Sequence, residues 1–258
     1  MIYADHAATT KISETAKLAM LSAMEKDWYN PSSLYTPGQQ ASGTLMDARV
    51  RIAHCLGCLP KEIYFTSGGS EADNQAILSA AAIGKRQGKM HIISTAFEHH
   101  AVLHTLKKLE KGGFEITLLD VGEKGIVSPV QVEKAIRPDT ILVTVMYANN
   151  EIETIQPIRE IGAICRKNGV LFHTDAVQAF WHVPINVDEC HIDMLSSSAH
   201  KLNGPKGTGF LYIRTGLKTR SFIHGGAQER TRRGGTENTA GNVGYGTEGG
   251  IALETMQQ

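Results

Sequence analysis

The stretch Pro157-Ile-Arg-Glu-Ile-Gly-Ala-Ile-Cys-Arg-Lys-Asn-Gly-Val-Leu-Phe-His-Thr-Asp175 reads as a helix followed by a strand. Proline suits a helix start because its missing N–H would go unpaired in the first turn anyway, so a helix over Ile158 to Lys167 is expected, closed by Gly169. Val170-Leu-Phe-His173 is then an apolar run of strand length, and Ile141-Leu-Val-Thr-Val-Met146 has the same character upstream. Working outward, Ile63-Tyr-Phe-Thr66, His91-Ile-Ile-Ser94, Glu115-Ile-Thr-Leu-Leu119 and Met194-Leu-Ser196 are further short buried strands. Ser128-Pro-Val-Gln131 is a capping box ahead of a helix through Ile136. Strands alternating with helices imply an α/β fold with a mostly parallel sheet, whose ligands bind beyond the carboxyl ends of the strands.

A chain of 258 residues fits one large domain, or one domain with a small appendage. Its 26 basic and 26 acidic residues balance, so total charge calls for neither nucleic acid nor an anionic membrane. The N-terminus shows no secretory signal, and no apolar run approaches the ~20 residues of a membrane span. Four cysteines do not make a disulfide framework. Cys55-Leu-Gly-Cys58 has redox or metal-binding spacing but lacks a second pair, and it ends a helix-like segment from Ala48 to Leu56, so a structural role and a reducing cytoplasm are expected.

The chemistry-bearing residues fall where strands end. Lys201 lies in Ser196-Ser-Ser-Ala-His-Lys-Leu-Asn-Gly-Pro-Lys-Gly207, on a tight loop between two strand-like runs. It suits either a surface turn or an amine that holds the aldehyde of pyridoxal phosphate (PLP). Thr66-Ser-Gly-Gly-Ser-Glu-Ala-Asp-Asn74 joins a strand to a helix start, where free N–H groups and the Ser70 hydroxyl form a phosphate cradle or a simple cap. No Gly-Lys-Ser/Thr follows, so a nucleoside triphosphate site is not expected. Asp175, in Phe172-His-Thr-Asp-Ala-Val-Gln178, either pairs with a protonated pyridine nitrogen or caps the next helix. His99 in Glu98-His-His-Ala101 is placed to stack on a flat ring. His100 and His104 have zinc spacing, but no nearby third ligand completes a set, and no metal site is expected. Asn149-Asn-Glu151 offers amides for a ring oxygen or a substrate carboxylate, or for stabilising a turn. Arg230, Arg232 and Arg233 make a solvated face or an anion contact, without the interleaved aromatics of a nucleic-acid site.

Taken together, these motifs and their order resemble the cysteine desulfurases, PLP enzymes of the class V aminotransferase group, in the branch serving iron–sulfur and nitrogenase cluster assembly. The resemblance runs from Asp5-His-Ala-Ala-Thr-Thr10 and Asn30-Pro-Ser-Ser33 to His224-Gly-Gly-Ala-Gln-Glu-Arg230 and Arg233-Gly-Gly-Thr-Glu-Asn238. It implies fold type I of the PLP-dependent transferases, with a seven-stranded sheet flanked by helices. Residues 1–15 would join a small domain, 16–250 would form the PLP-binding large domain, and 251–258 would begin an interdomain helix.

The resemblance also implies roles. Lys201 would bond the cofactor and move protons, with His99 stacking on the ring and acting as an acid–base group. Asp175 would pair with the ring nitrogen and Gln178 with the ring's phenolic oxygen. Gly69, Ser70, Ser198 and His200 would hold the phosphate, and Asn150 would lie near the ring and the substrate carboxylate. Thr236 would reach the cofactor phosphate of a partner subunit, making a homodimer obligatory. L-cysteine would be the substrate, and an iron–sulfur scaffold or other sulfur acceptor a partner. Ser70 stands where threonine is common, and Glu153 where glycine is usual. The family's C-terminal small domain, with its nucleophilic cysteine and its carboxylate-gripping arginine, has no counterpart here. That leads to the expectation of a truncated or split enzyme, the split form completed by a companion chain that carries the small domain. A selenocysteine lyase or β-lyase of the same fold, and a non-catalytic PLP-binding scaffold, are the alternatives.

Overall fold

The computed structural model describes residues 2–256. Its strands are β1 (Ile63–Thr66), β2 (His91–Thr95), β3 (Glu115–Leu119), β4 (Thr140–Thr144), β5 (Leu171–Asp175), β6 (Met194–Ser198) and β7 (Gly209–Ile213). They form one seven-stranded sheet in the order β1-β7-β6-β5-β4-β2-β3. Strands β3, β2, β4, β5 and β6 pair in parallel. Only β7 runs the other way, antiparallel to both β6 and β1. The expected mostly parallel α/β sheet is therefore present.

Its helices are α1 (Glu14–Lys26), α2 (Thr36–Leu56), α3 (Gly69–Gln87), α4 (His100–Lys111), α5 (Pro129–Ala135), α6 (Ile158–Lys167) and α7 (Thr239–Met256). Successive strand side chains alternate between faces, so each strand feeds two cores. Tyr64, Ile92, Leu142, Met194 and Leu211 pack with Ala76, Ile77 and Leu106 of α3 and α4. Phe65, Ile93, Val143, Leu195 and Phe210 pack on the opposite side with Ile52, Ile161 and Tyr245 of α2, α6 and α7. The result is a helix–sheet–helix sandwich. Among the described residues no helix is long and apolar enough to cross a membrane.

The start and stop signals hold where they were read. Helix α6 spans Ile158–Lys167, and Gly169 follows with φ 63°. The Ser128 N–H donates to Gln131 Oε1 at 3.2 Å at the head of α5. Helix α7 begins at Thr239 and runs through glycines that ordinarily weaken helices. Packing accounts for them: a Cβ on Gly246 would sit 2.6 Å from the Ala48 Cα, so glycine lets α7 lie directly on α2.

Candidate active site

Because β1, β2, β4, β5 and β6 share one direction, the loops at their carboxyl ends converge. They enclose a cavity of about 580 Å3, within the usual range for small-molecule sites. Gly69, Ser70, His99, Asn150, Asp175, Gln178, Ser198, His200 and Lys201 all line it. Thr236 does not. It is exposed in a separate hollow with Phe65, Gly207 and Arg233.

Each wall has a local cause. The backbone turns sharply from β1 into α3 at Gly68 (φ 151°), a conformation that side chains rarely permit. Strand β7 passes so close that a Cβ on Gly209 would lie 2.7 Å from the Gly68 Cα. The first turn of α3, opening at Gly69, leaves its N–H groups aimed outward beside the Ser70, Ser198 and His200 side chains. That is an anion cradle. His99 is the N-cap of α4, where its Nδ1 accepts the Ala101 N–H at 3.1 Å. This bond fixes the ring at the cavity wall.

Asp175 ends β5, and no helix follows, which removes the capping alternative. Its Oδ1 accepts the Val177 N–H at 2.9 Å. Burial raises its pKa, while that N–H and the nearby His99 and Lys201 pull it down. A carboxyl so placed has room for one more cationic partner from the cavity. Lys201 is half-buried, and desolvation lowers its pKa against the pull of Asp175, Asp5 and Glu151. Its Nζ donates to the Ala7 and Ala8 carbonyls. Gln178 Nε2 donates to the same Ala7 oxygen at 2.9 Å. The N-terminal segment is pinned there through Thr10, whose N–H donates to the His200 carbonyl at 2.8 Å.

The two asparagines divide the readings between them. Buried Asn149 accepts the Glu151 and Ile152 N–H groups at 2.8 and 3.0 Å and so builds the turn. Asn150 is the one that faces the cavity. Glu153 adopts φ 57°, the left-handed region that explains the family's glycine at this point. The arginine cluster serves the fold: Arg230 lies over the Tyr64 ring, Arg232 holds Thr219, and Arg233 Nε donates to Glu71 at 3.0 Å.

Three buried groups beside the cavity escaped the sequence reading. Asp73 of α3 lines the cavity floor, and burial beside Asp175 pushes its pKa well up. Glu98 accepts the Met146 N–H at 3.0 Å, and burial pushes its pKa up to about 8. His173 bonds the Thr144 and Ser196 hydroxyls at 2.8 and 2.9 Å, with its pKa pushed down to about 3 by burial. The spacing His173-Thr-Asp175 does signal a shared strand face.

All four cysteines are free thiols, and none lines the cavity. Burial raises each of their pKa values, that of Cys55 to about 11. Among the described residues, no third His, Cys, Asp or Glu joins His100 and His104 in a ligand set. The donor set instead fits a phosphate-bearing aromatic cation: an N–H and hydroxyl cradle, an imidazole wall, a buried carboxyl and a desolvated amine.

Comparison with known proteins agrees with that fit. Residues 2–254 match the family model described as aminotransferase class-V. The cysteine desulfurase IscS of Methanosarcina thermophila is 51% identical over 257 residues, covering 100% of this chain and 63% of that protein. This chain therefore spans less than two thirds of that relative's length. A solved structure titled NifS-like protein superposes with a TM-score of 0.96 at 38% identity, covering 99% of this chain and 70% of the other. Another, SspA in complex with cysteine, gives a TM-score of 0.93 at 41% identity, covering 98% and 72%.

Proposed function

Because the chain belongs to the class-V aminotransferase family, we propose that it is the cofactor-binding part of a PLP-dependent cysteine desulfurase. In that reaction L-cysteine yields L-alanine, and its sulfur passes to a cysteine thiolate as a persulfide destined for iron–sulfur clusters. The convergence of Lys201, Asp175, His99 and the α3 anion cradle on one cavity carries this reading. The desulfurase relative and the cysteine-bound neighbour support the substrate.

PLP, when bound, supplies an aldehyde that condenses with amines and a ring that takes up the electron pair left when a bond to the amino-acid α-carbon breaks. Ser70, Ser198, His200 and the first N–H groups of α3 would hold its phosphate. Asp175 would meet the ring nitrogen, keeping a proton there, and His99 would cover a ring face. Gln178 would take the ring oxygen, exchanging its bond to Ala7 for it. Asn150 would receive the substrate carboxylate. Lys201 likewise leaves the Ala7 and Ala8 carbonyls; desolvation favours its free amine, which takes up and returns the α-proton at Nζ.

None of the four cysteines reaches this cavity, so the sulfur-accepting thiolate in this reading lies outside it. In this reading residues 1–15 join a small domain, 16–250 form the large domain and 251–258 begin an interdomain helix, although Met1, Gln257 and Gln258 lie outside the described residues. Thr236 serves a partner subunit in a homodimer, and the free thiols suit a reducing cytoplasm. Incubation with PLP, L-cysteine and a small thiol as sulfur acceptor should release alanine, and a Lys201→Ala variant should release none. Pyruvate in place of alanine would indicate a β-lyase, and neither product would defeat the reading.

A further inference from the structure

Asp73 is a second carboxyl group on the cavity floor, and the reading above gives it no task. It projects from α3, only 1% exposed, and its Oδ1 has no hydrogen-bond partner. The groups facing it are Asp175 and His173 from β5, the Ser196 hydroxyl from β6, and Glu98 from the turn after β2. Carboxylate oxygens of Asp73 and Asp175 and a ring nitrogen of His99 lie within 4.8 Å of one another. His173, with its Nε2 3.6 Å away, does not neutralise it, because burial pushes its pKa down to about 3 and keeps the ring uncharged. Among the described residues no lysine or arginine pairs with Asp73. Asp175, in contrast, accepts the Val177 N–H, and both His99 and Lys201 beside it pull its pKa down. Two buried carboxyls this close cannot both ionise, and the charge goes to the one that accepts an N–H donor and is pulled down by its neighbours.

We propose that Asp73 is a neutral carboxylic acid, a positioning residue whose proton leaves Asp175 as the single anion of the pocket floor. What Asp175 then faces, a cofactor ring nitrogen, rests on the PLP reading; the protonation of Asp73 does not. Burial acts in the same direction on Asp73, and its neighbours Asp175 and Glu98 add to it.

Carbon-13 NMR of the native chain, labelled at the aspartate carboxyl carbons and free of PLP, reads the protonation directly. The expected result is an Asp73 resonance, assigned by its loss in Asp73→Asn, that stays at the protonated position at pH 7. A carboxylate resonance for Asp73 at that pH would overturn the proposal. Asp73→Asn, which resembles the neutral acid, should bind PLP within about threefold of the native chain. Binding weaker by about tenfold or more, with thermal unfolding unchanged, would show that the site needs a charge at Asp73. Should the variant not fold, the resonance is assigned in the native chain by backbone correlation. A native chain that binds no PLP defeats the proposed function, while the NMR result still decides the state of Asp73.

Discussion

Glu229→Gln should be among the most damaging single-atom changes outside the cavity. Glu229 is buried and accepts two bonds from the Arg49 guanidinium, at 2.7 and 2.8 Å, and one from the Phe65 N–H at 3.0 Å. Arg49 is itself buried and also bonds the Ile63 carbonyl. Around this pair the chain makes a left-handed turn, with Glu229, Arg230 and Thr231 at φ 45°, 54° and 68°. Each such residue costs roughly 1–2 kcal/mol, and the buried ion pair is one of the contacts that hold the turn against that cost. Removing the carboxylate strands a buried guanidinium and should cost about 3–5 kcal/mol. Urea unfolding at fixed protein concentration measures this, and hydrogen exchange should rise across residues 224–238, the segment that presents Thr236. Arg49→Met combined with Glu229→Leu should recover much of the loss, because no uncompensated charge remains. A loss below about 1 kcal/mol in the single variant would refute the reasoning.

Two further outcomes follow from single residues. Glu98 has a folded-state pKa near 8, above its ordinary 4.5, so between these values the unfolded chain releases a proton that the folded chain keeps. Stability should therefore fall as pH rises through that window and level off above it, by up to about 5 kcal/mol. In Glu98→Gln the difference between urea midpoints at the two ends of the window should shrink, and an unchanged difference would place the effect elsewhere. Glu153→Gly should raise stability by about 0.5–1 kcal/mol, since glycine relieves the left-handed backbone at some entropic cost. Differential scanning calorimetry would show it as a higher melting temperature, and a lower one would mean that the Glu153 side chain contributes something unseen.

Much of the fold was legible because its signals are local. Pro157 and Gly169 bracket α6 through backbone chemistry alone, and apolar runs such as Ile141 to Met146 need only a period and a length. The start of α7 was not legible, because its glycines answer to Ala48 on another helix rather than to their own sequence neighbours. Most of the site was also local, since Gly69, Asp175 and Lys201 each lie at or just beyond the carboxyl end of a strand. Asp73 and Glu98 were missed for the opposite reason. An aspartate in the first turns of a helix looks like a solvated charge until β5 and β6 are packed against it. Likewise the roles of Asn149 and Asn150 separate only once the turn has closed around the first.

The proposed function stands or falls with Lys201 as the covalent anchor of PLP. The most direct measurement incubates the native chain with PLP, reduces it with borohydride and maps the modified residue by peptide mass spectrometry. The expected result is stoichiometric labelling at Lys201, abolished in Lys201→Ala and weakened in Asp175→Ala. Labelling scattered over exposed lysines, with Lys201 unmodified, would contradict it.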